Sequence, residues 1–130
     1  MTDPIADMLI RIKNAAAVQK ETVLVPHSRL KAQLADLLLK EGFLKSVEKK
    51  KKGVQHYLFL DLKYDERGLS FIRGAKRVSK PGRRLYLGHQ AIRPLKYGSG
   101  RAVISTSKGL MTDQQARKEK MGGEFICAIW

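Results

Sequence analysis

Val54-Gln55-His56-Tyr57-Leu58-Phe59-Leu60-Asp61-Leu62-Lys63-Tyr64 is the stretch on which the fold turns. Leu58, Leu60 and Leu62 alternate with Tyr57, Phe59 and Asp61. Successive strand side chains point to opposite faces, so both faces of this strand are partly apolar. That is the pattern of a central strand, paired on both edges and covered on a face.

Its neighbours lie upstream. Phe43–Val47 reads as a strand, joined to Val54–Tyr64 through a lysine-rich turn, Lys49-Lys50-Lys51-Lys52-Gly53. A solvated hairpin tip that blocks edge pairing and a phosphate contact both fit that turn. Thr22-Val23-Leu24-Val25 is a short strand ended by Pro26. Asp3-Pro4 opens a first helix, with Ile5, Met8, Leu9, Ile12 and Ala16 at helical spacing. Ser28 opens a second, whose apolar face is Leu30, Leu34, Leu37, Leu38 and Leu39. Gly42 closes it as a left-handed cap, and Phe43 packs back on the last turn. The order helix, strand, helix, strand, strand predicts an α/β lobe over residues 1–66, with helices on one sheet face.

Residues 67–130 change character. Glycine is frequent, and short strands are expected at Leu69–Ile72, Arg83–Leu87, Ala102–Ser105 and Phe125–Ile129. Lys80-Pro81-Gly82 is a turn. Thr112-Asp113-Gln114-Gln115 fits a capping box in which Thr112 caps and Gln115 returns the bond. The helix it opens is expected to reach Met121 and stop at Gly122. The fold class is therefore α+β: two small packed lobes, the second β-rich with one short helix.

The charge narrows the function. The 130 residues carry 26 Lys and Arg against 12 Asp and Glu, a formal +14. Ten of the cations (Arg67, Arg73, Lys76, Arg77, Lys80, Arg83, Arg84, Arg93, Lys96, Arg101) fall between Arg67 and Arg101, a block without a single acid. A surface that needs only to be wet mixes signs to limit self-repulsion. An unmixed block points to a polyanion, and nucleic acid leads. Hydrophobic residues are 43% of the chain, enough for a core. No apolar run approaches the ~20 residues of a membrane span. The first twenty residues lack the order of a secretory signal. The lone Cys127 excludes an internal disulfide and a multi-cysteine metal cage, so a reducing cytoplasm is the expected setting.

Catalytic chemistry has little to stand on. His27, His56 and His89 are scattered, with no other ligand at metal spacing. Cys127, in an apolar terminal strand, reads as a small core residue. Gly98-Ser99-Gly100 is half a dinucleotide fingerprint, without its third glycine or the following helix. Asp61, Asp65 and Glu66 are the one set that could hold a divalent cation for a metal-dependent nuclease, and a polar turn explains them equally well. No cofactor is expected.

The informative segment is Ser105-Thr106-Ser107-Lys108-Gly109. It reads as a loop of small hydroxyl side chains. They either bond their own backbone or form a shelf that a base or ribose can approach closely. Lys108 supplies a phosphate partner. Gly122-Gly123-Glu124 offers a second close approach of backbone, with Glu124 accepting from base amino groups or from a nearby Ser or Thr. Tyr86 shares a strand face with Arg84 and either stacks on a base or ribose or sits in the core. Lys80 and Lys31 complete the candidate RNA-binding set.

At this point the residues resemble a known family, the bacterial small-subunit ribosomal protein eight family, over essentially the full length. Asp3-Pro4-Ile5-Ala6-Asp7-Met8-Leu9 with Arg11-Ile12-Lys13-Asn14 is similar to its first helix. Lys76-Arg77-Val78-Ser79-Lys80-Pro81-Gly82-Arg83-Arg84-Leu85-Tyr86 is similar to its basic turn. Ser105–Gly109, Thr112-Asp113, Ala116-Arg117 and Gly122–Glu124 resemble its C-terminal signature. Residues 45–75 carry little of the resemblance. Arg101 stands where the family usually has an apolar residue, and Trp130 where a smaller one is common.

The resemblance implies a non-enzymatic protein that binds the central domain of 16S rRNA and helps assemble the platform region of the small subunit. Neighbouring small-subunit ribosomal proteins are implied as partners. Binding of its own messenger RNA is known for some bacterial members and is carried as an expectation. It also implies that Ser105–Ser107 form the main contact with an irregular RNA helix, with Glu124 and Tyr86 in the same region. A double-stranded DNA architectural protein is the rival that shares the charge.

Overall fold

The computed structural model describes residues 3–95 and 100–130. Lys96 of the basic block and Gly98-Ser99 of the rejected fingerprint lie outside the described residues. Contacts divide the chain into two units, Pro4–Arg73 and Asp3 with Gly74–Trp130.

The first unit runs α1 (Pro4–Ala17), β1 (Thr22–Pro26), α2 (Arg29–Lys40), β2 (Leu44–Lys52), β3 (Gln55–Leu62). The antiparallel sheet has the order β1-β3-β2, so the strand apolar on both faces is central. Leu58, Leu60 and Leu62 are buried with Val23, Val25 and Leu44. Ile5, Met8, Leu9 and Ile12 of α1 and Leu34, Ala35 and Leu38 of α2 complete the core. Ser28 caps α2 by accepting the Lys31 N–H at 3.2 Å. Gly42, at φ 84°, ends it.

The lysine run is not a turn. Lys49, Lys50, Lys51 and Lys52 are strand residues of β2, paired with Leu58, Tyr57, His56 and Gln55. Only Gly53-Val54 turns, with Gly53 at φ 70°. A positive first φ in a two-residue loop matches the right-handed twist of the paired strands. Lysine stems tolerate strand geometry when their ends reach water, so charge alone did not locate the turn.

Leu69–Ile72, expected as a strand, makes only the bridge Tyr64↔Ser70. Asp65 Oδ1 accepts the N–H groups of Arg67 (2.8 Å) and Leu69 (2.9 Å) and folds the chain back. By contacts Arg67–Arg73 go with the first unit: Phe71 N–H donates to Lys63 O and Gln19 Nε2 to Gly68 O, both at 2.9 Å.

The second unit runs β4 (Ala75–Arg77), β5 (Tyr86–Leu87), a 3-10 turn (His89–Ala91), β6 (Arg101–Thr106), β7 (Gly109–Thr112), α3 (Asp113–Glu119), β8 (Gly123–Ile129). The antiparallel order is β4-β8-β6-β7, and β5 also pairs with β8. Ile92, Ala102, Ile104, Met111 and Ala116 form a buried cluster, with Leu87, Leu95, Met121 and Phe125 against it. Of the strand expected over Arg83–Leu87, only Tyr86–Leu87 pairs. Arg83 instead closes the Pro81-Gly82 turn, exchanging both backbone bonds with Lys80 at 2.9 and 3.0 Å.

Thr112 caps α3 by accepting the Gln115 N–H at 3.1 Å. The return bond is not made. Thr112 is also the last residue of β7, opposite Val103, and the Gln115 amide turns along the helix to Glu119. The helix ends before Gly122, with Lys120 in the left-handed conformation at φ 54°.

Candidate nucleic-acid interface

Strand pairing in the second unit brings distant residues into one row. Tyr86 lies opposite Glu124, Glu124 opposite Ser105, and Ser105 opposite Leu110. Directly opposed residues of antiparallel strands project on the same face. Ile104, opposite both Met111 and Phe125, belongs to the other face and packs in the core with Ala116 of α3. The row Tyr86–Glu124–Ser105–Leu110 is therefore on the face turned away from α3.

The hydroxyl-rich segment is a β-hairpin rather than a free loop. Ser105 and Thr106 end β6, Ser107-Lys108 turn, and Gly109 begins β7. Thr106 Oγ1 donates to Gly109 O (2.9 Å) and accepts the Lys108 N–H (3.1 Å), so this hydroxyl holds its own backbone. Among the described residues the Ser105 and Ser107 hydroxyls have no intramolecular partner. Lys108 is exposed at the tip, its ammonium 3.9 Å from Glu119 Oε1.

The two glycines are demanded by the crowding of β5, β8 and β6. A Cβ on Gly123 would lie 2.1 Å from Ser105 O, and one on Gly122 2.5 Å from Leu87 O. No side chain fits at such distances from a backbone oxygen. Gly122 thus serves the approach to β5, not the end of α3.

Glu124, an acid on a basic surface, is held from two sides. It accepts the Ser79 hydroxyl, and Arg84 Nη1 donates to both its oxygens at 3.2 Å. Ser79 has no exposed surface, and its Oγ also accepts the Leu85 N–H at 3.1 Å. Sequence reasoning missed Ser79. A small hydroxyl residue just before the basic Lys80–Arg83 turn was the local signal. Leu110 was missed too, because only pairing puts it in the row.

Tyr86 is 64% exposed, which excludes a core role. Lys80 and Arg83 are exposed on the turn before it, and Lys76 on β4; none makes an ion pair among the described residues. Arg77 is committed to structure: Nε donates to both Asp3 oxygens at 3.1 Å and Nη1 to Ile126 O at 2.7 Å. Lys31 belongs to the other unit. It lies on α2 of the first unit, 7% exposed, with Nζ donating to Pro26 O at 3.3 Å.

Two of the three carboxylates weighed for a nuclease, Asp61 and Asp65, are used as internal acceptors, and Glu66 is exposed. Asp61 accepts the Ser46 and Thr22 hydroxyls at 2.7 Å, and these bonds hold its carboxyl below the usual aspartate range. Asp65 is lowered by its backbone bonds at the turn. No group of three His, Cys, Asp or Glu residues is placed to hold a metal among the described residues. Burial pushes the Cys127 thiol up to about 12, far from a nucleophile's range. Arg101 Nη1 donates to Gly100 O at 3.1 Å. Trp130 packs its indole over Gly74, where a Cβ would lie 2.5 Å from the ring.

Comparison with known proteins places the chain among relatives along its whole length. Residues 3–130 match the family described as Ribosomal protein S8. The small ribosomal subunit protein uS8 of Clostridioides difficile is 51% identical over 130 residues, covering 100% of this chain and 98% of that protein. Its counterpart in Persephonella marina is 49% identical over 135 residues, covering 100% and 99%. That of Anaeromyxobacter is 49% identical over 129 residues, covering 99% and 98%.

Proposed function

The chain belongs to the ribosomal protein S8 family, and from that premise we propose that it binds the central domain of 16S rRNA directly and helps assemble the platform region. As a small-subunit ribosomal protein it is a structural component of the ribosome, not an enzyme, and the cytoplasmic ribosome is its place of work. The RNA-binding lobe expected over residues 67–130 is, in this reading, the unit that begins at Gly74.

The observation that carries it is the row Tyr86–Glu124–Ser105, beside a hairpin whose Ser105 and Ser107 hydroxyls have no partner within the described residues. Regular A-form RNA hides its major-groove edges from side chains. A distorted stretch exposes bases and 2′-hydroxyls, which small hydroxyl groups can both donate to and accept from. Tyr86 supplies a stacking surface, and the fixed Glu124 carboxylate accepts from base amino groups. Gly122 and Gly123 keep the backbone close. Arg84, Lys80 and Lys108 hold phosphates, which sets position and much of the affinity. Lys31 in the first unit keeps two N–H donors for a phosphate beside its bond to the Pro26 carbonyl. Neighbouring ribosomal proteins complete the assembly, and its own messenger RNA would bind the same surface where it carries the same distortion.

The test compares Ser105→Ala and Ser107→Ala on the central-domain RNA and on an unrelated duplex. Each lost hydrogen bond is worth ~0.5–1.5 kcal/mol net, so specific binding should fall about three- to tenfold and non-specific binding should hold. Equal losses on both RNAs sink the reading. Strong competition by DNA at matched salt would favour the architectural rival.

A further inference from the structure

The site above leaves the lysine-rich hairpin of the first unit unexplained. β1 pairs with β3 only as far as Pro26 opposite Tyr57, and the His27 N–H reaches one residue further, to His56 O. Beyond that, Lys51–Gln55 form a two-stranded tip with no third strand among the described residues, and Val54 at its turn is 90% exposed. Lys49, Lys50, Lys51 and Lys52 are all exposed. Strand alternation puts Lys49 and Lys51 on one face of the ribbon and Lys50 and Lys52 on the other. The nearby acid, Glu48, is already answered by Lys50 at 3.1 Å, whose ammonium also lies 5.1 Å from the centre of the Phe59 ring. Lys49, Lys51 and Lys52 make no ion pair among the described residues.

We propose that the β2–β3 hairpin is a second RNA-binding element, a ribbon with cations on both faces that sits between two phosphate-bearing strands. It rests on the reading that the chain binds small-subunit rRNA and adds a contact in the other unit. Edge protection is the competing use of these lysines, since β2 is an edge strand. It explains a lysine or two along β2. It does not explain four in succession with the single acid neutralised, because a surface built for solubility mixes signs. A ribbon positive on one face suits a flat anionic surface. One positive on both suits a groove with phosphates on either side, and a double helix or a junction of two helices provides that.

The test uses the full chain on small-subunit rRNA across a salt series. Each phosphate contact contributes ~0.7–0.9 to the slope of log affinity on log salt. Changing Lys49→Gln, Lys51→Gln and Lys52→Gln together should reduce that slope by about 2 and weaken binding at least tenfold, and arginine at the three positions should restore both. An unchanged slope in folded, monomeric protein overturns the proposal. So does a variant that aggregates while its monomer keeps the original slope, which would assign the lysines to edge protection. A photo-crosslinker on Val54→Cys gives the independent readout, since buried Cys127 stays unlabelled. In assembled subunits it should react with RNA, and crosslinks to protein alone overturn the proposal. Failure of the unmodified chain to bind the rRNA overturns this inference and the reading beneath it together. Binding that responds to Ser105→Ala but not to the lysine changes overturns the ribbon alone.

Discussion

Glu124 and Ser79, 45 positions apart, share a hydrogen bond in which a fully buried hydroxyl donates to the carboxylate in the row Tyr86–Glu124–Ser105. The same hydroxyl accepts the Leu85 N–H, so one oxygen fixes both the acid and the strand that carries Tyr86. Ser79→Ala leaves that amide without its acceptor and frees Glu124 to turn. A stability loss of about 1–3 kcal/mol is expected in urea unfolding, with weaker central-domain RNA binding. Stability unchanged within ~0.5 kcal/mol would show that water replaces the hydroxyl at no cost.

The three hydroxyls of the hairpin separate into two kinds. Thr106 bonds Gly109 and Lys108 within the turn, whereas Ser105 and Ser107 have no such partners among the described residues. Thr106→Ala should cost about 1 kcal/mol of stability, and Ser105→Ala or Ser107→Ala less than ~0.5 kcal/mol. Thermal unfolding of the three single variants decides it; equal losses would remove the distinction.

Trp130 and Gly74 exchange backbone hydrogen bonds at 2.9 and 3.0 Å, and the indole occupies the space a side chain at 74 would need. Gly74→Ala alone should therefore destabilise by about 2 kcal/mol through overpacking. In a Trp130→Ala background the same change should cost much less. A coupling below ~0.5 kcal/mol in this double-mutant cycle would mean that the ring simply swings aside.

Asp61 ties β1 to β2 across β3 through the Thr22 and Ser46 hydroxyls. Its folded-state carboxyl is more acidic than in the unfolded chain, chiefly through the Ser46 bond and then the Thr22 bond. The stabilisation is thus complete above about pH 4 and is lost as pH falls through the lowered value. Asp61→Asn should trail the parent protein in stability at pH 7 and converge with it toward pH 2. A difference constant over that range would contradict the assignment.

Burial raises the Cys127 thiol to about 12 and leaves it no exposed surface. A thiol reagent at pH 8 should modify the native protein only as fast as it opens, and the denatured chain at once. Rapid labelling under native conditions would show that β8 frays.

The first unit could be read closely from local pattern. Period-two alternation marked β3 as central, and helical spacing with Ser28 and Gly42 bounded α2. Patterns of that kind come from neighbours in sequence, which is all a sequence displays directly. The limits of β2 were misjudged because four lysines look like a turn, yet Gly53-Val54 alone makes it. The second unit resisted more. β4 has three residues and β5 two, too short to carry a period.

The basic block, the hydroxyl segment, the order of elements in the first unit and the family resemblance are all legible along the chain. Only strand pairing shows which of these residues lie side by side. Tyr86, Ser105, Leu110 and Glu124 meet because β8 pairs with both β5 and β6, and β6 with β7. Ser79 meets Glu124 because its backbone N–H bonds Phe125 of β8 at 3.0 Å. Gly122 and Gly123 are required because two backbones approach there within a side chain's reach. Strand pairing joins positions tens of residues apart, so the face they share leaves no periodic trace along the chain.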